Sequence, residues 1–412
     1  MTDLLVVGEG LCGLFAAILS AEQGARTTLV AQGRGGLSSS HGCMDVWKQV
    51  PSADQIRRFP MNHPYRLGGW SNLDRVLRRF LVTTSRAGLA YRGSLDVNLR
   101  LPTAIGGQHS TAFAPESVAR GDLSDVGSFS LGAIEGFRDF SGTLVKNNLA
   151  RAMRTELEII PLPIIGDIPR RDLYAHDLAR RFDQPEWRIE LARAWKPLLG
   201  GVRTLGVPAV LGLRNPAEVI SSLEDKLGVR LFEIPTLPPT VPGLRLERVL
   251  RNVALEEGVQ LIEGSRSIGL VDGRSGGKRV AGVVIQSAGG PRTHSAEAVL
   301  LATGGVLHGG LVARPNGRIV ESVFDLPVQH RGSRATWTSD EPLGAQPFAT
   351  FGLCVDSTMR PVSEEGNPYY GNLFAAGGVL GGSDRAIEGS RQGIDLLTAY
   401  RAVESALGVT LP

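Results

Sequence analysis

A cluster of glycines eight residues into the chain constrains what the rest can fold into. Residues 4–7 (Leu-Leu-Val-Val) are an apolar run of strand length. Gly8-Glu9-Gly10-Leu11-Cys12-Gly13 follows at once, and then the apolar helix start Leu14-Phe15-Ala16-Ala17-Ile18-Leu19. Strand, G-x-G-x-x-G turn and helix in this order open a nucleotide-binding βαβ unit. Gly8 permits the tight turn, Gly10 lets the backbone approach a phosphate, and Gly13 lets the helix close onto the strand. The helix N-terminus then offers free N–H groups and a positive dipole end to the phosphate. Residues 27–31 (Thr-Thr-Leu-Val-Ala) supply the second strand.

One part of the fingerprint is absent. A dinucleotide site usually carries Asp or Glu about 20 residues further on, at the end of the second strand, to bind the adenosine ribose. Here that place reads Ala31-Gln32-Gly33-Arg34. Gln32 is a neutral group able to hydrogen-bond a ribose hydroxyl, whereas Arg34 suits a phosphate better than a diol.

A chain of 412 residues with 42% apolar content can bury a large core and holds two or three domains, or one domain with an insertion. Its 44 basic and 41 acidic residues nearly cancel, which gives no case for nucleic acid as a partner. Cys12, Cys43 and Cys354 show no C-x-x-C spacing, so no iron–sulfur or zinc site and no resident metal is expected. So few cysteines also point to a reducing compartment. Cys12 reads as a small packing residue and Cys43 as a buried inert thiol. The N-terminal apolar run lacks a basic leader, and no stretch approaches the roughly 18 uninterrupted apolar residues of a membrane span.

Further along, the spacing predicts helices over residues 72–87, 141–157, 172–182, 185–195, 216–227, 245–257 and 389–406, and a strand within 159–165. Residues 88–140 read as short strands and turns without long-range pattern. From 245 the nucleotide-domain pattern resumes, with strands at 260–263, 280–286 and 298–302 and a turn over 272–277.

Four segments then stand out together: the glycine turn, the serine-rich loop 35–45, Ala302-Thr303-Gly304-Gly305, and Leu373-Phe374-Ala375-Ala376-Gly377-Gly378. This set, in this order, resembles the two-dinucleotide-binding-domain flavoproteins of the fumarate reductase-like branch. Residues 234–246 (IPTLPPTVPGLRL), 309–317 (GGLVARPNG), Phe351-Gly352-Leu353 with Met359-Arg360-Pro361, residues 372–382 (NLFAAGGVLGG) and the loop Ser39-Ser40-His41-Gly42-Cys43-Met44-Asp45 resemble the B subunits of anaerobic glycerol-3-phosphate dehydrogenase. The resemblance covers both ends and residues 230–382 and is weak over 90–230. It implies an α/β fold: a Rossmann-like flavin-binding domain from residues 1–90 and 241–412, with an inserted α+β cap domain at 91–240. It also implies FMN, with FAD as the alternative, since a turn built for a pyrophosphate is in tension with FMN. The implied partners within the complex are an FAD-bearing catalytic A subunit, together with an iron–sulfur, membrane-anchoring C subunit. The implied substrate is glycerol 3-phosphate, with electrons passed toward quinone. The chain is then cytoplasmic, or peripheral at the inner face of the cell membrane through a partner subunit.

On this reading Gly8, Gly10, Gly13, Gln32, Ser39, Gly42, Thr303, Gly304, Gly305, Gly377 and Gly378 bind the cofactor. Oxidising a secondary alcohol needs a base for the hydroxyl proton and a flavin N5 to take hydride, and a substrate phosphate needs Arg or Lys. His41, His308 and Arg314 are the catalytic candidates beside the cofactor motifs. Each has a plainer reading: His41 as a backbone or flavin-edge contact, His308 as a surface residue. Arg245 either contacts a cofactor phosphate or a partner, or is a surface side chain on a first helical turn. Two other functions stay open: a free-standing FAD-dependent oxidoreductase, and a non-catalytic structural subunit with a vestigial nucleotide fold.

Overall fold

The computed structural model describes residues 2–48, 56–153, 156–166, 173–264, 266–272, 278–287, 289–342 and 344–412. Residues 154–155 and 172, at the ends of expected helices, and 273–277 of the expected turn lie outside these. The chain divides into two compact units. The first comprises residues 1–36, 45–83 and 250–412, and the second Leu37–Met44 and Thr84–Val249.

The first unit is built on the strand Thr2–Glu9, which pairs in parallel with Thr27–Arg34 on one side and with the C-terminal part of Gly290–Leu301 on the other. Gln260–Ile262 extends the parallel sheet beyond Thr27–Arg34, and Leu373–Ala375 extends it beyond Gly290–Leu301. Leu4, Leu5 and Val6 are fully buried, as expected of a parallel strand covered on both faces. The N-terminal part of Gly290–Leu301 turns away into an antiparallel meander with Val280–Ser287 and Arg266–Val271. The helix Leu11–Glu22 is buried at ten successive positions, a pattern that only a helix enclosed on all sides tolerates. It packs against the C-terminal helix Arg391–Leu407.

The second unit has a four-stranded parallel sheet in the order Arg230–Ile234, Thr204–Pro208, Ser130–Ile134, Ile159–Leu162. The helices Gly142–Met153, Ala175–Phe182, Pro185–Trp195 and Pro216–Leu227 form the connections, as parallel neighbours require. This corrects the α+β organisation expected for the insert: its main sheet is α/β. Among the described residues its antiparallel strand pairs are two small ones, Tyr91–Gly93 with Phe113–Pro115 and Leu99–Pro102 with Gln108–Thr111, with an isolated bridge between Met44 and Phe113. Trp195, Phe182 and Phe232 are fully buried in one continuous core.

Leu37–Met44 is stitched along the second unit. Met44 N–H donates to the Phe113 carbonyl at 2.8 Å, Tyr91 Oη donates to the Gly42 carbonyl at 2.8 Å, and Thr240 N–H donates to the Ser38 carbonyl at 2.8 Å. The Thr240 hydroxyl also donates to the Ser40 carbonyl.

Candidate functional site

In the first unit the strand end, the glycine turn and the first helix are locked by close approach. Gly8 has φ +118°, and a Cβ there would overlap the Ala302 carbonyl. A Cβ on Gly13 would overlap the Gly8 carbonyl. Gly10 differs, with φ −84° and ψ −174° and no atom within 4 Å of where a Cβ would stand. It precedes Leu11–Glu22 without a side-chain cap, and no acidic residue occupies the first turn. The positive helix end is therefore uncapped beside the open space at Gly10, a combination that suits a phosphate.

At the end of the second strand, Gln32, Gly33 and Arg34 are exposed. The carboxylates gathered at this end of the sheet belong instead to Glu9 and Glu263. Glu9 is buried and ion-paired to Arg251. Arg251 also donates to both Glu263 oxygens, at 2.9 and 3.1 Å, and this pairing holds the Glu263 carboxyl below its usual range. Arg34 lies 3.7 Å from Glu263.

The other glycine motifs meet the first turn. Ala302 N–H donates to the Val7 carbonyl at 2.8 Å, and Ala376 N–H to the Leu301 carbonyl at 2.9 Å. A Cβ on Gly305 would stand 2.9 Å from the Gly378 carbonyl. One on Gly377 (φ +72°) would stand 2.9 Å from both Cys12 Sγ and Asp395 Oδ1. The Thr303 hydroxyl is buried without a hydrogen-bond partner among the described residues. Gly377 N–H donates to Thr398 Oγ1 at 2.9 Å, and Arg385 donates to Asp395 at 2.8 Å. Arg391–Leu407 starts beside this group, again with no side-chain cap and no acid in its first turn.

His308 packs against Gly36 and Gly304, where a Cβ would stand 2.6 Å from its Nε2 and 2.7 Å from its Cβ respectively. The residue as a whole is exposed. Desolvation of the packed face, then the positive charges of Arg385 and Arg391, lower its pKa, against the Asp395 carboxylate. Burial raises the Asp395 carboxyl, and burial and then Asp395 push the Cys12 thiol well up, leaving it protonated and inert.

Gly8, Gly10, Gly13, Thr303, Gly304, Gly305, Gly377, Gly378 and His308 thus form one neighbourhood. Arg314 follows the strand Leu311–Ala313 and is held by Asp325 at 2.8 Å. Ser39, His41 and Gly42 belong to the second unit, where Ser39 is exposed and Gly42 turns the chain at φ +72°. Arg385 and Asp395 escaped sequence reasoning, because an Arg and an Asp ten residues apart carry no recognisable spacing. His109 was missed too; its ring lies 4.3 Å from that of His41. Arg245 is neither free nor at the surface. It is buried and donates to Glu233 at 2.5 and 2.9 Å and to the Gly212 carbonyl at 2.7 Å.

An open phosphate place, an orphaned hydroxyl and glycines that leave room where side chains would intrude all fit a flavin nucleotide. A family model described as FAD binding domain matches residues 3–129 and 176–394. A Halobacterium salinarum protein, named as the probable B subunit of an anaerobic glycerol-3-phosphate dehydrogenase, is 32% identical over 98% of this chain and 97% of its own length. The anaerobic glycerol-3-phosphate dehydrogenase B subunit of Pectobacterium carotovorum is 29% identical over 98% of both chains. Among solved structures, 3-ketosteroid delta1-dehydrogenase from Sterolibacterium denitrificans aligns over 99% of both chains with 12% identity and a TM-score of 0.44. A flavin is the cofactor that the family match supports. FAD is the one the family description names, and the first choice of FMN finds no support in it. The chain is a flavoprotein of the FAD-binding-domain family, and within that family it belongs to the B subunits of anaerobic glycerol-3-phosphate dehydrogenase.

Proposed function

We propose that this chain is an FAD-carrying subunit of a complex that oxidises glycerol 3-phosphate to dihydroxyacetone phosphate and passes the electrons toward quinone. The observation that carries the reading is the uncapped start of Leu11–Glu22 with its open Gly10, together with a Thr303 hydroxyl that is buried without a partner among the described residues. FAD is preferred to FMN because such a turn suits a pyrophosphate. Glu263, held on Arg251, is the exposed carboxylate available where Gln32 offers none. The relatives are named as B subunits, which supports assembly with an FAD-bearing catalytic partner and with an iron–sulfur partner that carries the complex to the membrane. No described helix is long and apolar enough to cross a membrane.

Bound flavin supplies the two-electron acceptor for the hydride from the substrate's secondary carbon. His308, kept neutral by its lowered pKa, takes the hydroxyl proton at an imidazole nitrogen. Arg391, opening an uncapped helix, stabilises negative charge there. His41 and Arg314 take no step in this scheme.

The test is the visible spectrum of the purified complex, the mass of the flavin released from this chain, and anaerobic addition of glycerol 3-phosphate. FAD and bleaching are expected. A chain that stays colourless after reconstitution would instead make it a structural subunit. Purification as an active chain without partner subunits would make it free-standing. His308→Asn should lower kcat/KM by about 100-fold or more with flavin retained. Because the wild-type pKa is lowered, the base stays neutral further into acid, so the acidic limb of its pH profile should fall below the ordinary histidine value of about 6.5 and vanish in the variant. An unchanged rate in that variant removes His308 from the scheme.

A further inference from the structure

His41, Cys43 and His109 each offer one ligand atom, and these atoms all lie within 4.8 Å of one another. Among the described residues this is the one group of three or more His, Cys, Asp or Glu side chains close enough to hold a cation. Both elements that carry it lie in the second unit. His41 and Cys43 come from the stitched loop Leu37–Met44. His109 comes from the strand Gln108–Thr111, where it pairs with Leu101.

We propose that these three side chains form a site for a borderline-soft divalent transition cation, with Zn2+ as the first ligand to test. The donor set is one thiolate and two imidazoles. That is the ligand number of a zinc site with a fourth position left for water or another ligand. Tetrahedral zinc with bonds of about 2.3 Å to sulfur and 2.0–2.1 Å to nitrogen brings its ligand atoms to about 3.3–3.6 Å from one another. Ligand atoms that already lie within 4.8 Å of one another need to close by no more than about 1.5 Å per pair.

The surroundings favour the same chemistry. Cys43 is 1% exposed and packs among Leu101, Ala114, Val118 and Ala119. A thiolate there is unfavourable alone and becomes favourable on a cation, which deprotonates a coordinating thiol outright. His41 and His109 are partly exposed, whereas Cys43 is buried, so the site has a wetter side on which water could complete the shell. The loop is held by hydrogen bonds from Met44 to Phe113, from Tyr91 to Gly42 and from Thr240 to Ser40. A Cβ on Gly42 would stand 3.0 Å from the Pro242 carbonyl, so the residue between the two loop ligands has little freedom. Two of the three ligands are thus presented by a fixed backbone. A bound cation would cross-link that loop to a strand far away in sequence.

The test uses the full flavin-loaded chain. It measures metal by mass spectrometry after dialysis with Zn2+, and the zinc shell by X-ray absorption. The expected result is one zinc per chain, with one sulfur at about 2.3 Å and nitrogens at about 2.0–2.1 Å. Cys43→Ala keeps the apolar packing and should remove the sulfur. His109→Gln should lower zinc affinity by about 100-fold or more. Flavin content and melting temperature report whether each variant is folded. If Cys43→Ala fails to fold, His109→Gln, on a partly exposed side chain, decides the matter. A wild-type chain that keeps no zinc overturns the proposal, as does zinc that survives His109→Gln at full affinity. Because flavin content is read separately, failure here leaves the flavin reading untouched.

Discussion

Gly8→Ala and Gly10→Ala should separate folding from cofactor binding within a single turn. At Gly8 the backbone sits at φ +118°, where an L side chain is strained by about 1–3 kcal/mol. The new methyl would also meet the Ala302 carbonyl, and such overpacking costs about 1–3 kcal/mol more. The sum is a large share of the roughly 5–15 kcal/mol that holds a domain folded. Chemical denaturation should therefore show Gly8→Ala with a much lower midpoint, and flavin lost as a consequence. At Gly10 the backbone is ordinary and the space open. Alanine in this capping position should change the flavin-free stability by no more than about 1 kcal/mol. Its methyl, however, stands where a phosphate must approach, so flavin affinity should drop by about 10–100-fold. If Gly10→Ala keeps its flavin at full affinity, the phosphate is held elsewhere.

The same turn shows which parts of the molecule can be read from sequence. Gly8 turns the chain at its own φ of +118°, Gly10 leaves space beside the turn and Gly13 meets Gly8, so their spacing already carries their purpose, although the contact of Gly8 with Ala302 is non-local. Pro185–Trp195 and Pro216–Leu227 are equally local: each has proline at its first helical position, where the missing N–H is not needed. The helix Val241–Glu256 begins four residues before the expected 245, because Pro242 sits in its first turn and is no barrier there. What escaped is non-local. The second unit's parallel sheet pairs Ser130–Ile134 with Ile159–Leu162 and Thr204–Pro208, and nothing within residues 88–140 announces those partners. The strand expected at 298–302 begins at Gly290, since its polar first half is paired in the meander rather than buried in the parallel sheet. His109 joins His41 and Cys43 only through the pairing of its strand and the course of the loop.

Arg245 is the sharpest case, since a guanidinium at a helix start invites a ligand role. In the structure it is committed to Glu233, and both side chains are buried. Glu233 Oε1 also accepts from Leu211 N–H at 2.8 Å, so the pair ties the strand Arg230–Ile234, the helix Val241–Glu256 and the turn at Leu211 and Gly212 together. Removing one partner leaves the other charge buried and uncompensated. Arg245→Met and Glu233→Leu should therefore each cost about 3–5 kcal/mol. The double variant has no buried charge left. Its remaining cost is the Leu211 N–H and Gly212 carbonyl left without partners, about 1–3 kcal/mol for each such group that stays buried and unsatisfied. The double-mutant cycle should show a loss several kcal/mol smaller than the sum of the singles. Additive losses would mean that the two groups do not depend on each other. A ligand role for Arg245 predicts something different: Arg245→Met would lose flavin or partner binding at unchanged stability, and restoring charge balance with Glu233→Leu would rescue nothing.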